Sequence, residues 1–372
     1  MSILHICNDF SYTKVHKNLY SELDELQAGS QIIFNPLQKK NNKGKNKICF
    51  EDSESEIVYS KLLLKHHRFL FLNKIKFLEP QLFQVLNGKK RVDVIHATTL
   101  FSDGALAYKA YKKYKTPYIV TVRNTDINIF LKFRPDLIFL ANQIIANASK
   151  VLFVSQSNYK LFREHFLVRN VIKDFECKVE VITNAIDDFW LHNRLKNRGN
   201  KPTGILFIGR FDTNKNVLTL IEAFKQIAKQ YPNLTLNLVG GQGSCHEKVL
   251  SNLNNQIKYW GYISDKERLQ EMYLSNHIFA MASLKETFGL VYLEAISQGL
   301  PILYSKGQGI DGEFHLPVGE ACNPKSIVDT REKLLKLIEH YSNYTVNKVD
   351  LSSYSWTNVA KKYINIYKEI HA

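Results

Sequence analysis

Two glutamates, Glu286 and Glu294, stand eight positions apart in LKETFGLVYLEA, and the run between them is apolar except for one glycine. A segment that served only as core would gain nothing from Glu286 at its edge. The preceding FAMAS (279–283) reads as a strand, so Lys285 and Glu286 lead off its end. Thr287, Phe288 and Gly289 then make a turn, and a helix starts at Gly289 or Leu290. First-turn amides of a helix have no partner inside it and attract anions. Glu286 is therefore expected in a loop at a ligand. Glu294 is expected more than a turn into the helix, on a face that can look back at the same place. One carboxylate can accept from sugar hydroxyls and the other from a ribose diol.

Ligands of open α/β sheets gather beyond the carboxyl ends of the strands. LFIGRFDTNKN (206–216) leaves such an end through Gly209 and brings Arg210 and Lys215 close together. Two cations there can neutralise a diphosphate, and Gly209 lets backbone approach closely; the plainer alternative is a surface loop. LVGGQGS (238–244) ends the next strand in a common glycine turn. In WGYISD (260–265), the glycine with Tyr262 and Ile263 would let a flat base rest against backbone and side chain. The same residues also suit a strand, a turn and a helix capped by Ser264 or Asp265.

Short apolar runs alternate with helical patterns along nearly the whole chain, which is the signature of a parallel sheet covered on both faces. Strands are expected at 3–7, 31–34, 92–97, 118–122, 150–155 and 179–183, with helices near 14–28, 103–115, 136–148 and 157–166. The polar, basic stretch 187–202, ending in Gly199 and Pro202, interrupts the rhythm and reads as a linker. Strands resume at 204–209, 234–240, 257–263, 277–283 and 300–305, and 355–370 is a basic amphipathic helix. Residues 41–59 suggest a loop or edge hairpin. Residues 60–83 mix Lys61, Lys65, Arg68, Lys74 and Lys76 with leucines and phenylalanines. Such a segment either packs on its own domain or lies on an anionic membrane.

The 372 residues suit two domains, and 45% hydrophobic with 23% charged residues is a globular composition. No apolar run reaches the length of a spanning helix. Five dispersed cysteines without a C-x-x-C suggest reduced thiols in a cytosol, and no Cys/His set has zinc spacing. The net charge of +15 is spread over both halves and suits nucleic acid, an anionic membrane or a phosphorylated small molecule. The chain has no helix-turn-helix, zinc or RNA-recognition pattern, which removes nucleic acid as a partner.

ETFGLVYLEAISQGLPI (286–302) resembles the E-x7-E signature of retaining glycosyltransferases of the GT-B fold, above all glycosyltransferase family 4. ILFIGRFDTNKNVLTLIEAF (205–224) resembles that family's donor-phosphate segment, and VEVITNAID (179–187) its segment before the linker. LFVSQSN (152–158) and VIHATTLFSDGALAYKAYKK (94–113) resemble its N-terminal strands and helices. The resemblance spans the chain. It implies two Rossmann-like doubly wound parallel-sheet domains facing across a cleft. Residues 1–187 would bind the acceptor, 188–202 would link, 203–354 would bind the nucleotide-sugar, and a helix at 355–372 would cross back to the first domain.

The resemblance further implies that Arg210 and Lys215 hold the donor diphosphate and that Glu286 contacts the donor sugar. The backbone of Phe288, Gly289 and Leu290 would touch sugar or phosphate, Glu294 the ribose, and Gly261, Tyr262 and Ile263 the base. The reaction would be a metal-free, retaining transfer without a cofactor, from a nucleoside-diphosphate sugar (UDP by frequency) to a glycan or lipid-linked glycan. No two aspartates lie two positions apart, so the D-x-D of the metal-dependent fold is absent. Two positions depart from the family pattern. TVRNTD (121–126) carries Arg123 where a histidine is usual, with Asp126 kept and placed near the acceptor or at a helix cap. The first loop, NDFSYTKVHKN (8–18), has no glycine, leaving Ser11, Lys14 or His16 to serve there. These departures motivate the alternative of an inactive GT-B-like carbohydrate-binding or partner scaffold.

Overall fold

The computed structural model describes residues 1–88, 91–195 and 201–371. They form two compact units: Met1–Val154 with Asn158–Ala185 and Trp356–Ala372, and Ser155–Ser157 with Ile186–Ser355. The first unit holds β1 (Ser2–Ile6), β2 (Ser30–Asn35), β3 (Glu56–Tyr59), β4 (Val94–Ala97), β5 (Tyr118–Val122), β6 (Lys150–Phe153) and β7 (Val179–Val181). They make one sheet in the order β3-β2-β1-β4-β5-β6-β7, with every pair parallel. The second unit holds β8 (Gly204–Arg210), β9 (Thr235–Gly241), β10 (Ile257–Tyr259), β11 (Ile278–Ala280), β12 (Ile302–Ser305) and β13 (Gly319–Cys322). Its sheet is also all parallel, in the order β10-β9-β8-β11-β12-β13. Each chain order turns back at the first strand, so two doubly wound α/β units are present, as the alternation of apolar runs and helices requires.

Two-residue periodicity divides the first sheet between two cores. Leu4, Ile6, Ile95, Ala97, Val120 and Val122 face one side, under the helices Phe71–Asn87, Ser102–Tyr114 and Ile138–Asn147. Ile3, Val94 and Ile119 face the other, under Lys14–Glu25 and the C-terminal helix Trp356–His371. The second unit has a single continuous core running from Ile186 to Tyr354.

Three expectations change. The polar segment 41–59 ends in β3, a parallel edge strand on β2 and not a hairpin arm; its four residues are too short a run to outweigh their charged flank. β13 is a further strand, and its Gly319 fits because a Cβ there would lie 1.9 Å from the Ile302 carbonyl oxygen. The stretch 188–202 is not a free linker where it is described. Asp188–His192 is a short helix with Trp190 buried in the second core, and Leu195 N donates to Ser297 O at 3.1 Å. Residues 196–200, with Gly199, lie outside the described residues.

In 60–83, Phe71, Ile75, Leu78 and Leu82 are buried along one face of the helix Phe71–Asn87, so this segment packs on its own unit. No helix among the described residues is long and apolar enough to cross a membrane. The five cysteines are free, with Cys7, Cys245 and Cys322 buried and Cys49 and Cys177 exposed.

Beneath the C-terminal helix lie two buried histidines. His96 Nδ1 is 2.8 Å from the Tyr367 hydroxyl, and its Nε2 is 3.1 Å from Thr121 Oγ1. The His5 ring centre lies 4.1 Å from that of Tyr20, the two planes tilted by 33°. Burial, with a smaller push from His16, lowers His5 to about 3 against a weaker opposing effect of Gln31. Burial likewise holds His96 well below the ordinary histidine range. A histidine lowered on folding stabilises above its unfolded value of 6.5 and loses that contribution as pH falls toward 3. Buried carboxyls act in the opposite sense: Asp103, raised to about 7, and Asp126, raised to about 6, weaken the fold as pH rises. A His5→Phe variant isolates the first effect. By chemical denaturation at about pH 4.5, the wild type should have lost on the order of 2–3 kcal/mol more than the variant relative to neutral pH. Parallel pH profiles would show that His5 carries no such penalty.

Candidate functional site

In the second unit, β8 and β9 end side by side, with Gly209 paired to Gly240. A Cβ on Gly240 would lie 1.9 Å from the Gly209 carbonyl oxygen, so only glycine allows these strand ends to come so close. The chain then enters loop 211–216, whose carboxylate Asp212 was not singled out by sequence. Asp212 Oδ2 lies 2.9 Å from Arg210 Nη2, and its Oδ1 accepts from the Lys215 amide at 2.9 Å. Lys215 Nζ donates to Glu286 Oε2 at 2.7 Å, with both side chains largely buried. Arg210, Asp212, Lys215 and Glu286 thus form one connected polar chain at the carboxyl end of β8.

Glu286 is fixed from several directions. Ser283 Oγ donates to the same oxygen as Lys215 at 3.4 Å, and the Thr287 amide donates to the other at 3.2 Å. The Glu286 amide donates to Gln308 Oε1 at 3.2 Å, and the Gly309 amide donates to the Glu286 carbonyl at 3.1 Å. A Cβ on Gly309, whose φ is +55°, would lie 2.8 Å from Glu286 Cγ. Asparagines bind the two loops together. The Leu284 amide donates to Asn214 O at 2.8 Å, and Asn214 Nδ2 donates to Lys285 O at 3.0 Å. Asn216 Nδ2 donates to Ala282 O at 2.9 Å and Pro324 O at 2.7 Å. Sequence reasoning missed Asp212, Asn214, Asn216, Gln308 and Gly309; DTNKN and GQG were visible, but the meeting of each with the Glu286 loop, 71 residues away for Asn214 and Lys285 and 22 for Gln308, was not.

Gly289 has φ +86° and precedes the helix Leu290–Ser297, which no side chain caps. A Cβ there would lie 2.5 Å from the Tyr292 ring, itself pinned by its hydroxyl donating to Met281 O at 2.7 Å. Phe288 and Ile263 are buried and can offer only backbone to a ligand, while Leu290 is half-buried. Tyr262 is 78% exposed beyond Gly261, whose φ is +76° and whose carbonyl accepts from the Gly240 amide at 2.8 Å. Glu294 is half-buried and accepts from the Tyr273 hydroxyl at 3.1 Å, outside the Glu286 chain. Burial pushes Glu294 up to about 7; the Tyr273 bond opposes this, the Asp187 charge adds to it, and Lys266 offsets it.

The first unit gathers a second polar cluster at the carboxyl ends of β1, β4 and β5. Arg123 Nε donates to Thr98 O at 2.9 Å. His16 Nε2 lies 3.0 Å from Asp9 Oδ1. Burial works against ionising Asp9, but His16 and then Arg123 outweigh it and hold the carboxyl well below its usual range. Burial also lowers His16, with Asp9 pulling the other way. Asp103 accepts from the hydroxyls of Thr98 at 2.9 Å and Thr99 at 3.0 Å. Lys74 donates to Asn8 Oδ1 at 2.9 Å and to Ser102 Oγ at 3.2 Å.

The acceptor-side candidates are therefore unequal. Asp126 is buried and occupied by the amides of Leu100 at 3.1 Å, Phe101 at 3.2 Å and Arg123 at 2.8 Å, which ties two loops together. Ser11 is buried and donates to Asn35 Oδ1 at 2.8 Å. His16 is buried behind Asp9, and Lys14 is exposed in the first turn of its helix. Cys7, Asp9 and His16 place a sulfur, a carboxylate and an imidazole within 4.8 Å of one another, donor types that can hold a metal. Burial keeps the Cys7 thiol well above its ordinary range, and the Arg123 charge falls on the same group. The Cys7 thiol donates to Asp9 Oδ1 at 3.7 Å, tying two of the three together.

Comparison with known proteins gives the family. Residues 188–348 match the family model described as glycosyl transferases group 1, and residues 50–188 match that of glycosyltransferase family 4. An uncharacterized glycosyltransferase of Methanocaldococcus jannaschii is 25% identical over 352 residues, covering 86% of each chain. A human relative, one subunit of phosphatidylinositol N-acetylglucosaminyltransferase, is 25% identical over 297 residues, covering 75% of this chain and 58% of that one. The solved structure of a lipopolysaccharide outer core galactosyltransferase superposes with a TM-score of 0.74 at 17% identity, covering 99% of this chain and 100% of that one. With two parallel-sheet units of the GT-B type and two family models matched in succession, the chain belongs to the family 4 glycosyltransferases.

Proposed function

We propose that this glycosyltransferase moves a sugar, with retention of anomeric configuration, from a nucleoside-diphosphate sugar to a glycan or lipid-linked glycan acceptor. A UDP-sugar is the first donor to test, and surface-polysaccharide or glycoconjugate synthesis is the setting. The observation that carries the reading is the Lys215–Glu286 pair, held at 2.7 Å beside the uncapped start of the helix Leu290–Ser297. The human relative's name, which specifies N-acetylglucosamine transfer to phosphatidylinositol, supports a lipid-linked acceptor.

Breaking the anomeric bond leaves negative charge on the departing diphosphate and positive charge on the sugar ring. In the proposed site, Lys215, Arg210 and the first-turn amides of the helix take up the negative charge. Glu286 faces the sugar, and its carboxylate accepts from sugar hydroxyls. Lys215 is then shared between Glu286 and a phosphate oxygen. The cations perform the neutralisation that a divalent metal supplies elsewhere, so no cofactor enters the scheme. Glu294 accepts from the ribose diol, and Tyr262, exposed beyond its glycine, lies against the base. The first unit takes the acceptor: Asp9, backed by His16 and flanked by Arg123, offers a half-exposed carboxylate to a hydroxyl. The acceptor proton passes to a phosphate oxygen of the leaving group.

Transfer should continue in excess EDTA, and NMR of the product should show the donor's anomeric configuration; inversion would remove the retaining scheme. Lys215→Ala should lower kcat/KM by roughly 10²–10³, the usual cost of losing one preorganised donor to developing charge. Arg210→Ala should cost less, because that guanidinium is 74% exposed. Unchanged kinetics in both variants would contradict the phosphate clamp. Donor binding without transfer or hydrolysis, equal in wild type and Glu286→Ala, would support the scaffold alternative.

Nucleotide binding should also report Glu294. If the ribose diol donates to its carboxylate, binding favours the ionised form and releases a proton. Affinity for a nucleoside diphosphate should then rise as pH increases through about 7. The Glu294→Gln variant should lose that component while keeping the part due to the phosphate itself. Calorimetry in buffers of different ionisation enthalpy measures it; identical profiles would remove the ribose role.

A further inference from the structure

The helix Phe71–Asn87 turns Phe71, Ile75, Leu78 and Leu82 into the first core, yet the chain leading into it keeps large apolar side chains in solvent. Leu64 is 55% exposed, Phe69 76%, Leu70 50% and Leu72 56%. A second segment adds to them: Ile129 is 52% exposed and Phe133 65%. The two segments meet through Phe71 and Phe130, whose rings lie 5.7 Å apart, and Phe130 stacks 4.8 Å from Phe101 beneath. Folding therefore gathers into one patch residues some 60 positions apart, a concentration of exposed apolar surface that marks an interaction site.

Its charge is one-sided. Between Ile57 and Leu78, and between Ile127 and Pro135, the sequence contains no Asp or Glu. Lys65, Arg68 and Lys76 are exposed in the first stretch. Lys132 is exposed in the second, with its ammonium 5.1 Å from the Phe133 ring centre. Aromatic and leucine tips ringed by cations match the headgroup and acyl boundary of an anionic bilayer, where each basic residue and each buried apolar group adds to binding. A second copy of the chain is a poor occupant, since it would bring the same positive charge against this face.

We propose that the patch built by residues 64–72 and 129–133 is a membrane-docking surface for an anionic bilayer. Phe69, Leu70, Leu72 and Phe133 enter the interface, while Lys65, Arg68 and Lys132 lie at the lipid phosphates. The surface stands on this face alone, independent of the transfer reading, and it would keep the enzyme at the plane where a lipid-linked acceptor resides.

The test is flotation of the full chain with acceptor-free vesicles of neutral phosphatidylcholine, or of the same lipid with roughly one-third phosphatidylglycerol. The protein should float with the anionic vesicles at low salt, at least about tenfold less with neutral ones, and less as salt rises. Phe69→Ser with Leu72→Ser should lower the partition about tenfold at unchanged thermal stability. Lys65→Glu with Arg68→Glu should lower it at least as much and flatten its salt dependence. Glu286→Ala should float like the wild type, which separates failure of docking from failure of catalysis. No flotation at any salt, or flotation of both double variants equal to that of the wild type, would overturn the proposal. So would a patch substitution that shifts sedimentation from dimer to monomer without altering flotation, because the face would then join copies of the chain.

Discussion

A single ion pair joins the two loops on which the proposed donor chemistry rests. Lys215 arrives from the end of β8 and Glu286 from the end of β11, and their 2.7 Å contact is the point where those loops meet through charge. Both side chains are mostly removed from water, so deleting one partner would strand the other, a loss on the order of 3 kcal/mol. The pair is surrounded by neutral bonds that do not depend on it, from Asn214, Asn216 and Gln308. Those bonds hold the loops in place while the charges remain available to a ligand. In the proposed reaction an arriving diphosphate competes for Lys215 without dismantling its loop.

Glycine makes this proximity possible at chosen points. Gly240 lets β8 and β9 end almost backbone to backbone, and Gly309 packs against the stem of Glu286. Any side chain at either position would displace an atom of the site. The first unit solves its own problem without glycine in the first loop. There, Asp9, His16 and Arg123 are brought together from a loop, a helix and a strand end, and ionic and hydrogen bonding among them fixes the local shape. Asp126, by tying three amides, keeps the Arg123 loop against the start of the helix Ser102–Tyr114.

Much of this was legible in the chain. The strand and helix rhythm announced two doubly wound sheets because a buried parallel strand must be apolar along its whole length. The spacing of Glu286 and Glu294, with Arg210 and Lys215 upstream, drew attention to one end of the second sheet, and the Lys215–Glu286 contact follows that lead. What stayed hidden depended on distance in sequence. Asp212 is an ordinary loop acid until it is seen bridging Arg210 and the Lys215 amide. Cys7, Asp9 and His16 have no ligand spacing, and only the turn from β1 into the next helix brings them within 4.8 Å. β3 and β13, four residues each, carried too little apolar pattern to stand out from polar neighbours. In the segment 60–83 the helix packs inward, as one of its two readings expected, while its leading residues stay in solvent.

The C-terminal helix Trp356–His371 closes the first unit, covering Ile3, Val94 and Ile119 and meeting His96 through Tyr367. The remainder of that unit is encoded before residue 186. During synthesis, about 170 residues of the second unit must leave the ribosome before the covering helix exists. Until then the part of that sheet face not covered by the helix Lys14–Glu25, with His96 in it, is open to water and to other nascent chains. The order of the gene thus makes the first unit to be translated the last to be completed.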